Sequence, residues 1–168
     1  MQFRNILIAL ASCLILNLGT ASADEDALFS TQTLTPEAAL KAAMAALEKC
    51  RAEGYQVAVA VVDRMGNMQV MIRDRFAGAH TPETARRKAW TATSFRTNTT
   101  DMLEITGPGQ AQSGVRHVTG ALMLGGGMLI EAGGSLVGAI GVSGAPGGDQ
   151  DDLCAAAGIA AIEDDISF

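Results

Sequence analysis

The chain has 168 residues, 12 basic and 18 acidic, and a formal net charge of −6. That balance argues against a nucleic acid or an anionic membrane surface as partner. With 48% hydrophobic residues and no linker, repeat array or low-complexity tract, the bulk of the chain suits one domain able to bury its own core.

The first residues read as an export signal. Arg4 precedes an apolar run over 6–18, and Ala21-Ser22-Ala23 has the small-x-small shape that signal peptidase accepts. Residues 1–23 are therefore expected to be a signal peptide, and 24–168 a single domain that works in the periplasm or is secreted. The run falls short of the roughly 18–20 residues that cross a bilayer, so no membrane span is expected. Leu10-Ala11-Ser12-Cys13 offers a rival processing site, at which Cys13 would be lipidated. Cleavage removes Arg4 and no acid, which takes the formal charge from −6 to −7. Of three cysteines, Cys50 and Cys154 then remain, in an oxidising compartment.

Thr35-Pro36-Glu37 supplies a capping hydroxyl, a proline for the first turn and an early acid, and predicts a helix to about Glu53, stopped by Gly54. A β-rich run over 57–63, a turn over 63–67 and a second run over 68–73 predict a hairpin with both strands at least half buried. Thr81-Pro82-Glu83 opens a second helix, with Thr81 as its cap, running to about Ser94; residues 98–104 predict a short third helix. Residues 115–124 read as a strand. The glycines at 125–127 read as a turn leading into strands over 128–132 and 135–142, joined by Gly133-Gly134. The last helix is expected to be capped by Asp149, with Asp152 three residues on. Strand pairs with tight turns and segregated helices predict an α+β fold on an antiparallel sheet.

On the last helix Cys154, Ala157, Gly158 and Ala161 share a small-residue face, and the first helix has an alanine face that includes Cys50. Two such faces approach closely, which predicts a Cys50–Cys154 disulfide; two buried unpaired thiols are the alternative.

Several chemistries are excluded. Gly141-Val142-Ser143-Gly144-Ala145 has the outline of a nucleophile elbow, but no histidine follows Ser143. The two histidines lack zinc-ligand spacing, and no glycine cluster carries a phosphate-loop or dinucleotide fingerprint. What remains is the segment 73–88. His80 stands before the second helix, where the positive end of the helix dipole favours a neutral imidazole, the form that ligates haem iron. Arg73, Arg75, Arg86, Arg87 and Lys88 are candidate partners for haem carboxylates, and Phe76, Trp90 and Phe95 candidate apolar walls. The plain alternatives are a solvated loop histidine and a solvated basic helix face. His117 reads as a strand or edge histidine.

Val61-Val62-Asp63 with Gly66, Ala77-Gly78-Ala79-His80-Thr81 leading to Ala85, Arg87-Lys88-Ala89 and Thr91-Ala92, then Leu124-Gly125-Gly126-Gly127 and the stretch 138–151, resemble the GlcG/HbpS-like haem-binding domains. These blocks occur in order and cover nearly all of 24–168. The resemblance implies a profilin-like, three-layer architecture with a five-stranded antiparallel sheet, and assembly into homo-oligomers. It also implies haem as cofactor, with roles in sequestration, transport or redox sensing. His80 matches the family's ligand loop and is the implied metal ligand. Thr81 stands beside it, and Arg86, Arg87 and Phe76 complete the candidate binding set. The chain departs from the family at Met128-Leu129, after the triple glycine, and at Arg75-Phe76, before the loop. Two other readings stay open: an enzyme with His80 as acid/base and Arg86 or Arg87 as anion clamp, and an accessory subunit of an exported oxidoreductase.

Overall fold

The computed structural model describes residues 27–167. The expected signal peptide, the Ala21-Ser22-Ala23 site and Cys13 lie outside the described residues.

α1 (Pro36–Ala52) starts as its sequence dictates: the Thr35 hydroxyl accepts the Ala38 N–H at 3.2 Å, and Gly54, at φ +83°, carries the chain away beyond the last turn. β1 (Ala58–Asp63) and β2 (Met68–Arg73) form the expected hairpin. In its turn the Asp63 carboxylate accepts the backbone N–H groups of Met65 and Asn67, both at 2.8 Å. α2 (Thr81–Phe95) and α3 (Thr99–Ile105) follow, then β3 (Gly127–Ala132), β4 (Ser135–Ser143), α4 (Gly148–Ala160) and a short α5 (Glu163–Ile166).

The sheet is antiparallel throughout, in the order β2-β1-β4-β3. Among the described residues it has four strands, not the five that the resemblance implied. Residues 115–124 are not a strand: Ser113–His117 is a 3-10 helix and the rest is irregular. The backbone there is satisfied by side chains of α2. Arg87 donates from Nε to the Gly120 carbonyl at 3.2 Å and from its terminal nitrogen to that of Ala121 at 2.6 Å, while the Thr91 hydroxyl accepts the Leu122 N–H at 2.9 Å. The segment reads as strand-like, but only Ala121 and Met123 are buried, and its polar groups went to a helix rather than to a sheet edge. His117 accordingly ends the 3-10 helix, exposed, and lies in no strand.

β1 is apolar at every position but its last because both of its faces are covered. Val59 and Val61 join Ile130, Ile140 and Val142 against α1 and α4, whereas Ala58, Ala60, Val62 and Ala139 meet Ala85, Ala89 and Ala92 of α2. The outcome is three layers, with α1 and α4 on one face of the sheet and α2 on the other. The expectation for β2 was too strong: as an edge strand it is half-buried to exposed, Met68 being 40% exposed.

Cys50 and Cys154 form a disulfide, with Cα atoms 5.5 Å apart, tying α1 to α4. Gly158 is what lets these helices meet, since a Cβ there would lie 2.6 Å from the Ala42 carbonyl oxygen.

Candidate functional site

Between the start of α2, α3, the triple glycine, the end of β4 and the start of α4 lies a cleft of about 650 Å³. His80, Thr81 and Thr84 form one side, Leu103 and Leu124 another, and Ser143, Gly144 and Ala145 with Gly147 and Gly148 the floor. Leu103 and Leu124 are 41% and 47% exposed, so the cleft presents apolar surface to anything entering it. Its glycines serve close packing of the chain: a Cβ on Gly144 would lie 2.5 Å from the Gln56 carbonyl oxygen and one on Gly148 2.8 Å from the Gly125 Cα.

Helix α2 begins one residue earlier than its proline suggested. His80 is itself the N-cap, with helical backbone angles and no side-chain cap bond, and Thr81 lies inside the helix. The Thr81 hydroxyl donates to the Gly78 carbonyl at 2.8 Å and is buried, closing the loop below His80. A Cβ at Gly78 would come within 2.7 Å of His80 Cε1 and 2.9 Å of Nδ1, so that glycine makes room for the Nδ1–Cε1 edge of the ring. The imidazole is exposed and lines the cleft.

The loop carrying His80 is anchored at its other end by Asp74, which is 1% exposed. Arg51 at the end of α1 grips it with two bonds, Nε to Oδ2 at 2.7 Å and a terminal nitrogen to Oδ1 at 2.9 Å. This hydrogen bonding, helped by the Arg75 N–H, outweighs burial and holds the Asp74 carboxyl at a pKa of about 2, below its ordinary 3.8. A carboxyl lowered on folding stabilises above its unfolded pKa and loses that contribution as pH falls through the folded one. Asp74→Asn should therefore lower Tm at pH 7, with the gap from wild type closing between pH 4 and about pH 2 in melts followed by circular dichroism. A gap that stays constant over that range would show that the ion pair does not hold the loop.

The basic run divides three ways. Arg86 pairs with Glu83 through two bonds of 2.7 Å on the surface, Arg87 serves the backbone of 120–121, and Lys88 is buried at 3% exposure. The reading of 86–88 as one solvated face is thus corrected. Lys88 Nζ donates to Asp151 Oδ2 at 2.7 Å and to the Val142 carbonyl at 2.9 Å. Neither Arg86, Arg87 nor Phe76 is among the cleft-lining residues, and Phe76 is 80% exposed. Trp90 and Phe95 pack in a satellite core with Met102, Ala121 and Met123, the indole lying between Gly66 and Gly120, so they do not wall the cleft.

The sequence reading missed the paired acids of α4. The helix is capped by Gly147 rather than Asp149, and Asp151 and Asp152 in its first turns face inward. Asp151 Oδ1 accepts the Ala145 N–H at 3.1 Å; burial pushes its carboxyl up despite Lys88. Asp152 accepts the Gly126 N–H at 2.6 Å and the Thr100 hydroxyl at 2.5 Å. A signal did exist: Lys88 sits in the inward stripe of Ala85, Ala89 and Ala92, where a solvated lysine has no place. The triple glycine is no tight turn. A Cβ on Gly126 would lie 2.5 Å from the Val142 carbonyl oxygen and one on Gly127 2.5 Å from that of Lys88, so these residues are glycine because three segments cross there.

The fold and cleft define a ligand-binding α+β domain that offers one exposed imidazole over a glycine-rich floor. A family model described as "Haem degrading protein HbpS-like" matches residues 34–160, and the chain belongs to that family. It is 41% identical to HbpS from Streptomyces reticuli in the crystal structure of a double mutant, with a TM-score of 0.75 over 83% of this chain and 93% of that one. It is 32% identical to PduOC in a crystal structure of its haem complex, with a TM-score of 0.73 over 77% and 95%. It is also 35% identical over 120 residues to the corrinoid adenosyltransferase PduO of Salmonella typhimurium, 70% of this chain but only about a third of the length of that relative.

Proposed function

We propose that this protein binds haem in the cleft beside His80, as an exported domain that sequesters, carries or senses with it. The single observation that carries the reading is the exposed imidazole at the head of α2, opening onto a cleft with apolar rims at Leu103 and Leu124. The relative crystallised with haem shares this fold at 32% identity, which supports the same cargo here.

The donor set fits the group. His80 is the iron ligand, and buried Thr81 stands beneath it. Leu103 and Leu124 offer apolar surface to a flat macrocycle, and Phe76 flanks the loop. Arg86 pairs with Glu83 on the surface and lies outside the cleft lining, so the haem carboxylates are not assigned to it. Arg87 is left to the fold. Haem, when bound, supplies an iron centre that exchanges an electron with oxidants. The disulfide supports an oxidising compartment, and export with cleavage after Ala23 belongs to the same proposal, as does assembly of copies into a homo-oligomer.

Titrating haemin into the purified protein should give a Soret band at one haem per chain, with quenching of Trp90, the single tryptophan. His80→Ala should weaken affinity by 10-fold or more, an order of magnitude expected for loss of a metal-site partner. An unchanged band in the variant would remove His80 as ligand. Turnover of haem with added reductant would instead favour the enzyme reading.

A further inference from the structure

We propose that the Lys88–Asp151 ion pair is a positioning device for bound haem, fixing the distance between the wall that carries His80 and the floor beneath it. The proposal rests on the haem reading above. Lys88 follows Thr81 and Thr84 along α2 at intervals of three and four residues, so all three face the cleft from one side of the helix. Through its bonds to Asp151 and to the Val142 carbonyl it joins this wall to the end of β4 and the first turn of α4. The other Asp151 oxygen holds the N–H of Ala145, itself a floor residue. One ammonium and one carboxylate thus link α2, the end of β4 and the first turn of α4.

There is no slack at the junction. A Cβ on Gly126 would lie 2.9 Å from Lys88 Nζ and 2.7 Å from Asp151 Cβ. A buried ion pair is commonly matched or bettered in stability by apolar residues of similar volume. What charge supplies and a leucine would not is a directional link of fixed length. Asp152, the next residue of α4, holds the Gly126 N–H and the Thr100 hydroxyl.

The test is Lys88→Met/Asp151→Leu in the full chain, loaded with haemin and compared with wild type. The double variant should melt cooperatively, yet release haem to an excess of scavenger protein about 10- to 100-fold faster, with an altered axial-ligand signature in electron paramagnetic resonance. Asp151→Asn keeps the volume and the acceptor for the Ala145 N–H; if the double variant does not fold, the single one carries the same expectation. A folded variant with wild-type release and wild-type resonance overturns the proposal and leaves the haem reading standing. A wild-type protein without a Soret band removes the haem reading, and this proposal with it.

Discussion

Replacing Cys154 with alanine should remove about 4–5 kcal/mol of stability, the upper part of the range for a native disulfide, because the bridge closes a loop with a sequence separation of 104. Cross-linking so distant a pair restricts the unfolded chain strongly, and both sulfurs are fully buried, so a void is added to the lost constraint. Domains of this size are stable by roughly 5–15 kcal/mol, so the loss takes a large share of the total. The effect should concentrate on α1 and α4. Guanidinium unfolding of Cys154→Ala and Cys50→Ala, with wild type in and out of reductant, measures it. Midpoints that coincide for all of these would mean that the bridge contributes nothing. Because α4 begins at the cleft and Arg51 follows Cys50, loss of the bridge should also loosen the cleft from both ends.

Gly141→Ala should be comparably severe, at about 3 kcal/mol or more of overpacking. Gly141 lies in the second half of β4, paired with Ala60 on one side and Gly127 on the other. Its added Cβ would stand 2.1 Å from the Ala85 carbonyl oxygen and 2.8 Å from the Ala89 nitrogen. Both are backbone atoms, so no rotamer change relieves the contact and all of α2 must lift from the sheet. His80, Thr81 and Lys88 would move with it. Urea unfolding and haemin titration should therefore both respond, whereas a Gly134→Ala control, where an added Cβ meets nothing within 4 Å, costs only the strain of its φ of +76°. Equal behaviour of the two variants would show that α2 does not rest on that glycine.

Where side-chain pattern and turn chemistry act over a few residues, the fold was legible. Thr35-Pro36, Gly54, the turn at 63–67 and Gly133-Gly134 each placed an element end correctly, and matching small-residue faces paired Cys50 with Cys154. The stretch 115–124 was misread because β-like composition does not say which partner takes the backbone hydrogen bonds. At the site, His80 stood out as a chemically capable side chain before a helix. The partition of Arg86, Arg87 and Lys88 among surface, loop backbone and buried acid did not show, since adjacent helix positions point in different directions and the partners of Arg87 and Lys88 lie 33 and 63 residues away.

The sequence by itself determined the α+β class, the main helices and hairpins, the disulfide and the candidate imidazole, because these follow from local backbone preference, periodicity and residue chemistry. Only the tertiary structure decided that the sheet has four strands among the described residues, that Asp151 and Asp152 shape a cleft rather than merely start a helix, and that the glycines at 125–127 and 141 mark crossings. Those outcomes depend on which distant segments share a few ångströms of space, and a linear pattern carries the capacity for such contacts but not their choice.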